Sequence, residues 1–351
     1  MKNPLLVLAS TVLVTAAIPI CVSIFAYSSD SKPDIVPHIQ NKLKIETKLK
    51  INKKKSVKNY ETIDKESPKI KVYNHKKGIV ETIDIEDYLC GVLAGEMSAE
   101  FDKEALKAQA VAARTFTVYS EKTGKHKNAA VCTDYKHCQE YKSKSELLSK
   151  NGQAWMDKFY TKIEQAVKDT KGQIIVYEDE PILPLYFSTS SGNTENSEEV
   201  FSTKYPYLRS VDSPYDKNAP KYASNVKINN SDFINTLRKG YPNMSISNDK
   251  LSKQVSIEER SKGGSVEKIK VGNKEISGRD IRSLFNLNSA NFDLKFNKDY
   301  VDIIVKGYGH GVGMSQWGAE GMAKDGYKYY EILEHYFKGS KIEDSNKVLI
   351  A

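Results

Sequence analysis

Residues 5–27 (LLVLASTVLVTAAIPICVSIFAY) carry no charged side chain. A helix of that length rises about 35 Å, enough to cross the hydrocarbon core of a bilayer. Pro19 can kink such a helix without barring insertion. A cleaved leader has a shorter apolar core and a small-residue cleavage site. The sequence therefore predicts an uncleaved transmembrane anchor over 5–27, with a short cytoplasmic end at 1–4.

The segment after the anchor is not core-forming. Residues 28–69 are polar and Lys-rich, with Pro33, Pro37 and Pro68 and few aromatics, which predicts a linker. Of the chain's net charge of +8, residues 41–60 hold eight Lys against one Glu. The basic balance thus comes from a short Lys run without Arg, outside the folded body. A solvated tether, or attraction to anionic lipid heads or wall polymers, fits it better than a nucleic-acid domain. Four cysteines in 351 residues exclude a disulfide-stapled scaffold. The folded body is expected over 70–351.

Within the body, IKVYNHKKGIVETIDIEDYL (70–89) alternates around Lys76-Lys77-Gly78 and reads as a hairpin. Residues 103–120 read as a helix capped by Asp102. Its face of small residues, Ala105, Ala108, Ala112 and Thr115, predicts close packing and burial. Residues 153–171 read as a further helix. Residues 173–179, 182–190 and 301–307 read as strands, with a turn at Glu180-Pro181, and 317–339 as two closing helices. Residues 221–275 give no clear pattern. Helices and strands mix without βαβ alternation, so the expected class is α+β, one ectodomain with room for two subdomains.

Four segments could carry chemistry. Glu96 ends an apolar stretch ahead of the buried helix. Desolvation there raises a carboxyl pKa and suits a general acid, although a Glu before a helix is more often a cap or dipole partner. In HKNAAVCTDYKHCQEY, His126, Cys132 and Cys138 could supply zinc ligands, with a Cys132–Cys138 disulfide an equal rival on spacing alone. His137 is expected to diverge, because it adjoins Cys138. Cys90 is expected to be a buried apolar thiol. The run 187–216 offers hydroxyls, amides, Tyr205, Tyr207 and Tyr215, which suit a sugar. No His is near enough in sequence to mark a Ser as nucleophile. In GYGHGVGMSQWGAEGMA (307–323) the glycines resemble a dinucleotide fingerprint, but no βαβ unit comes after them. Close backbone approach explains them better. The expected substrate contacts are Ser188, Ser190, Thr194, Tyr207 and Gln316.

Together GEMSAEFDKEALKAQAVAARTF, VCTDYKHCQEY, YFSTSSGNTENSEEVF with PYLRSVDSPYD, ISGRDIRSLFNLNSANFDLKF, and GYGHGVGMSQWGAEGMA with YYEILEHYFKG resemble the stage II sporulation protein D family. The motifs lie in family order from about residue 80 to the C-terminus. One departure, SSG at 190–192 in place of a Gly pair, affects local loop shape. The resemblance implies a membrane-anchored lytic transglycosylase that degrades peptidoglycan of the cell wall during engulfment in sporulation. It places Glu96 as the catalytic residue and His126, Cys132 and Cys138 as zinc ligands. It implies an extracytoplasmic ectodomain between mother-cell and forespore membranes. The expected partners are peptidoglycan glycan strands, a sporulation amidase acting first, and other engulfment membrane proteins.

The chemistry needs one carboxylate. A glycosidase normally uses two. One suffices if the attacking hydroxyl belongs to the substrate, which then closes to a 1,6-anhydro-N-acetylmuramic acid end. The metal is expected to order the 126–141 loop. Two rivals are a zinc-dependent amidase or peptidase, and a non-catalytic glycan-binding anchor.

Overall fold

The computed structural model describes residues 67–345. The predicted anchor, nearly all of the predicted linker, and residues 346–351 lie outside the described residues. No helix among the described residues is long and apolar enough to cross a membrane.

The fold opens with an antiparallel hairpin, β1 (Lys69–Asn74) and β2 (Ile79–Asp84), as the alternation predicts. The alternation overstates its length. Asp84 accepts hydrogen bonds from the amides of Glu86 and Asp87 and starts helix α1 (Ile85–Glu96). An N-cap with two acids in the first turn overrides the strand pattern of the last five residues. Helix α2 (Lys103–Lys122) is capped by Asp102, as expected, and its small-residue face is buried. Strand β3 (Val131–Cys132) runs parallel to β1.

Helix α3 (Lys144–Asn151), absent from the sequence expectation, starts in a Ser143–Glu146 capping box. Helical pieces Gln153–Trp155, Met156–Tyr160 (a π turn) and α4 (Thr161–Asp169) then run on without a break. Strand β4 (Gln173–Tyr177) turns through Glu178 and Asp179, both at positive φ, into β5 (Glu180–Pro181). The turn thus precedes Glu180-Pro181, the pair expected to form it. Of the strand expected at 182–190, β6 (Tyr186–Phe187) pairs, and Thr189 adds a single antiparallel bridge to Tyr308. The Ser188 carbonyl instead accepts from the Trp317 amide and the Ser315 hydroxyl. A short helix, α5 (Ser197–Phe201), comes next.

Residues 221–275, opaque in the sequence, supply most of a second core. Strand β7 (Ala223–Asn229) leads into α6 (Asn230–Gly240), then β8 (Val255–Arg260), β9 (Val266–Val271), β10 (Lys274–Ser277) and α7 (Gly278–Leu284). Strands β11 (Phe292–Phe296) and β12 (Tyr300–Lys306) complete one antiparallel sheet in the order β11-β12-β7; the other is β10-β9-β8. Register shifts between Ile257 and Arg260 break the period of two in β8, which hides it from pattern reading. Phe233, Leu237, Ile269, Phe292 and Ile303 centre this core.

The chain closes with β13 (Met314–Ser315), parallel to β6, then α8 (Gln316–Lys324), α9 (Tyr329–Tyr336) and β14 (Lys341–Asp344), which pairs with β4. The class is α+β. The first core joins α1, α2, α4 and the β1 hairpin through Tyr88, Leu89, Leu93, Phe116 and Ile163.

Arg114 locks that core. It is 1 % exposed, and its Nε donates to Glu86 Oε1 at 2.9 Å while Nη2 donates to Glu86 Oε2. Its Nη1 also donates to the Gln173 carbonyl at 3.1 Å. The pair ties the start of α1 to α2 and β4. Arg114→Met should cost about 3–5 kcal/mol, because it strands the Glu86 carboxylate. Adding Glu86→Leu should recover part of the loss. Urea unfolding of the three proteins checks both expectations.

Candidate active site

Glu96 is the last residue of α1, not a cap of the next helix. Met97 turns extended and sends its N–H back to the Leu93 carbonyl, ending the helix. The carboxyl therefore sits at a helix C-terminus, where the backbone dipole disfavours negative charge. Its Oε1 accepts the Glu140 N–H at 2.6 Å. The Glu96 carbonyl accepts Gln316 Nε2 at 3.0 Å. Tyr186 lies beside the carboxyl, and its hydroxyl donates to Gln139 Oε1 at 2.9 Å. Burial pushes the Glu96 carboxyl up to about 7, against the opposing effect of the Glu140 N–H; the Glu140 carboxylate adds to the rise, while Tyr186 and Lys142 oppose it. Near neutral pH the group is thus divided between acid and base forms, which suits proton transfer in both directions.

Two glycines build this arrangement. Gly91 and Gly95 lie four apart on one face of α1. A Cβ on Gly91 would come within 2.4 Å of the Tyr141 ring, and one on Gly95 within 2.7 Å of the Glu140 carbonyl. Segment 140–142 lies directly on this bare face, and the Lys142 N–H donates to the Gly91 carbonyl at 3.2 Å. The close approach is what delivers the Glu140 amide to Glu96. The sequence signal was present in CGVLAGE, as a small-residue pair at helical spacing.

The same loop gathers four metal-type donors. Ligand atoms of His126, Cys132, His137 and Cys138 all lie within 4.8 Å of one another. His126 Nε2 is 3.1 Å from Cys138 Sγ, and His137 Nδ1 is 3.6 Å from both sulfurs. A tetrahedral zinc site with N and S ligands has donor separations of about 3.3–3.8 Å, so the set fits. Both cysteines are free thiols, not a disulfide. Burial pushes the Cys138 thiol up to about 11, so a cation would have to displace its proton. The expectation that His137 diverges is corrected. The His137 and Cys138 amides both donate to the Asp134 carbonyl, and this tight turn brings the His137 ring, although exposed, to the same side as Cys138.

The other expected contacts divide. Gln316 lies at the site through the Glu96 carbonyl, whereas the Ser188 carbonyl bonds the neighbouring Trp317 amide and its hydroxyl meets that of Thr189. Ser190, Thr194 and Tyr207 are buried and turned inward. The Ser190 hydroxyl accepts the Gly192 amide, Thr194 Oγ1 accepts the Val211 amide, and the Tyr207 hydroxyl accepts the Leu183 amide. Their hydroxyls are engaged in holding the loop. Sequence reasoning missed Tyr186, Gln139 and the buried Asp216. Asp216 accepts from the Ser190 amide at 2.7 Å and from the Ser213 and Ser315 hydroxyls. It thereby joins the 188–190 segment to the strand that leads into Gln316. The glycines at 307–313 do permit close approach. Gly313 has φ +82°, and a Cβ there would come within 2.0 Å of the Leu185 carbonyl.

This combination, a near-neutral glutamate at a helix end beside a His/Cys cluster, comes with a match to known proteins. Residues 73–177 match the model of the stage II sporulation protein family. The chain is 38% identical over 305 residues to stage II sporulation protein D of Bacillus subtilis, covering 86% of this chain and 87% of that protein. It is 39% identical over 289 residues to the protein of the same name from Bacillus amyloliquefaciens, covering 81% and 82%. With the amidase enhancer of Bacillus subtilis it shares 27% identity over 307 residues, 72% of this chain and 40% of that protein. The chain belongs to the stage II sporulation protein D family.

Gly95→Ala should push segment 140–142 off α1 and separate the Glu140 amide from Glu96. In the unaltered protein the Glu140 amide resonance should titrate with a midpoint near 7, tracking Glu96. In the variant that titration should disappear from the Glu140 amide.

Proposed function

We propose that this protein is a lytic transglycosylase that cleaves peptidoglycan glycan strands. The observation that carries the reading is a single half-buried carboxyl, Glu96, poised near neutrality at a helix C-terminus. As an acid it protonates the oxygen between N-acetylmuramic acid and N-acetylglucosamine, and the C1–O bond breaks. As a carboxylate it then takes the proton from the muramic C6 hydroxyl, whose oxygen bonds to C1. The product is a 1,6-anhydro end, no water is consumed, and Glu96 ends protonated as it began. The neighbouring Glu140 carboxylate is held by Lys142 at 3.1 Å, which supports a role as a nearby charge and not as a second reacting group.

The metal reading supports the same assignment. Zinc bound by His126, Cys132, His137 and Cys138 would supply a fixed cross-link in the loop that carries Gln139 and Glu140. Four protein donors leave no open position for an activated water, which counts against the amidase and peptidase reading. The glycan-binding anchor reading leaves the raised carboxyl pKa without a purpose. Residues 5–27 anchor the chain in the membrane, with the catalytic body extracytoplasmic. Its place is engulfment during sporulation, on strands stripped of stem peptides by an amidase acting first. The naming of one relative as an amidase enhancer fits such a partnership.

Glu96→Gln keeps the shape and removes the proton, so activity should fall by roughly 100-fold or more with unchanged stability. Mass spectrometry of products from purified denuded strands measures this and identifies anhydro ends. Because the acid form is lost as pH rises through about 7, kcat/KM should fall roughly tenfold per pH unit above that value. Elemental analysis should find about one zinc per chain. His126→Ala, Cys132→Ser, His137→Ala and Cys138→Ser should each lower it, and an intact mass two hydrogens light without zinc would sink the metal site.

A further inference from the structure

Beside Glu96 stands a hydroxyl to which the proton transfers of the proposed reaction give no part. We propose that Tyr186 is a second functional residue of this site: its hydroxyl partners the Glu96 carboxyl before and after proton transfer, and Gln139 is the positioning residue that holds it there. The inference rests on the proposed role of Glu96 as the acid.

The mount of Tyr186 is rigid. It pairs with Met314 in the parallel β6–β13 ladder. The imidazole of the half-buried His310 reaches the Tyr186 backbone, and the ring of Phe187 packs on the same imidazole at 5.5 Å. His310 is fixed in turn, since its Nδ1 accepts the Val312 amide at 3.1 Å. The hydroxyl of Tyr186 is therefore delivered to one place by backbone pairing.

The direction of the hydrogen bonds comes from proton counting. A tyrosine hydroxyl has one proton, and here it goes to Gln139 Oε1 at 2.9 Å. The Gln139 side chain is buried beside the buried Tyr88, and its Oε1 is the atom that meets the Tyr186 hydroxyl. Toward Glu96 the Tyr186 oxygen then presents a lone pair. Protonated Glu96 can donate to it. Once Glu96 has given its proton to the glycosidic oxygen, the carboxylate needs a donor. The Tyr186 O–H turns from Gln139 to supply it. When Glu96 recovers a proton from the C6 hydroxyl, the O–H returns to Gln139. No atom is gained or lost, and the Glu140 N–H stays on Oε1 throughout. One carboxyl can thus act twice in succession without an unpaired oxygen at either stage.

The test compares the full-length protein with Tyr186→Phe, Gln139→Leu and Glu96→Gln on denuded glycan strands. The readouts are kcat, KM, the pH profile of kcat/KM and zinc content. Tyr186→Phe should lower kcat by about 10- to 100-fold with KM little changed. Its alkaline limb should move to higher pH, because the carboxylate loses a donor while the Glu140 and Lys142 charges facing Glu96 remain. Gln139→Leu should move the limb to lower pH, because the freed Tyr186 proton then serves the carboxylate full time. Both variants should keep wild-type zinc content. Wild-type kcat and an unshifted limb in Tyr186→Phe, with Glu96→Gln inactive, would overturn the role of Tyr186 and leave the function standing. Shifts of the same sign in both variants would also overturn it, since lost packing alone would move both alike. If Tyr186→Phe does not fold, an unshifted limb in Gln139→Leu overturns it. Failure of the unaltered protein to form anhydro ends would instead overturn the reading of function.

Discussion

The buried Arg114–Glu86 pair sets the position of the helix that carries the candidate acid. A guanidinium taken from water is tolerated only if its donors are met, and here a carboxylate and the carbonyl of Gln173 meet them. Glu86 lies in the first turn of α1 and Glu96 is its last residue. Fixing one end of a stiff rod about 15 Å long fixes the other. The pair also joins α1 to α2 and β4, so the first core and the site share one anchor. Hydrophobic contacts along Tyr88, Leu89 and Leu93 press α1 in place. They are non-directional, and the ion pair adds the register that they lack.

The electrostatic state of Glu96 arises from three placements that differ in sign. Burial and the helix C-terminus both act against charge, and they raise the carboxyl well above the ordinary value of 4.5. The Glu140 N–H acts for charge and limits the rise. Without that amide the group would hold its proton too tightly to release it; with several such donors it would remain a carboxylate and could not act as an acid. The near-neutral result depends on a backbone amide reaching the carboxyl, and so on the absence of side chains at Gly91 and Gly95.

How much of this could be read from the sequence varied with the physical signal. Helix α2, its Asp102 cap and its buried small-residue face were legible because each is a local property of consecutive residues. Glu96 and three of the four clustered donors were legible as chemistry at suggestive spacing. His137 was not, because a single turn around the Asp134 carbonyl rotates it beside its neighbour, and spacing alone carries no dihedral angles. Ser190, Thr194 and Tyr207 have the composition of a sugar site, but hydroxyls serve equally well to satisfy buried amides. The second core was hidden by short charged strands and an irregular β8, where burial comes from pairing across sequence. Tyr186 and Gln139 meet over 47 residues of separation, which no local pattern can encode.

The His/Cys cluster and the carboxyl are adjacent for a mechanical reason. Cys138 is succeeded at once by Gln139, which accepts the Tyr186 proton, and then by Glu140, whose amide reaches Glu96. A loop without regular pairing would let those two groups wander, and a hydrogen bond of this kind weakens steeply with angle. A cation held by four side chains would close the loop at Cys138, one residue before the first contact and two before the second. The opposite wall is held by the Asp216 network and the β6–β13 ladder, which bring Tyr186 beside the Glu96 carboxyl and Gln316 to the Glu96 main-chain carbonyl. The site is therefore clamped from two sides by different means. The side built on an irregular loop is the one that carries metal-binding residues.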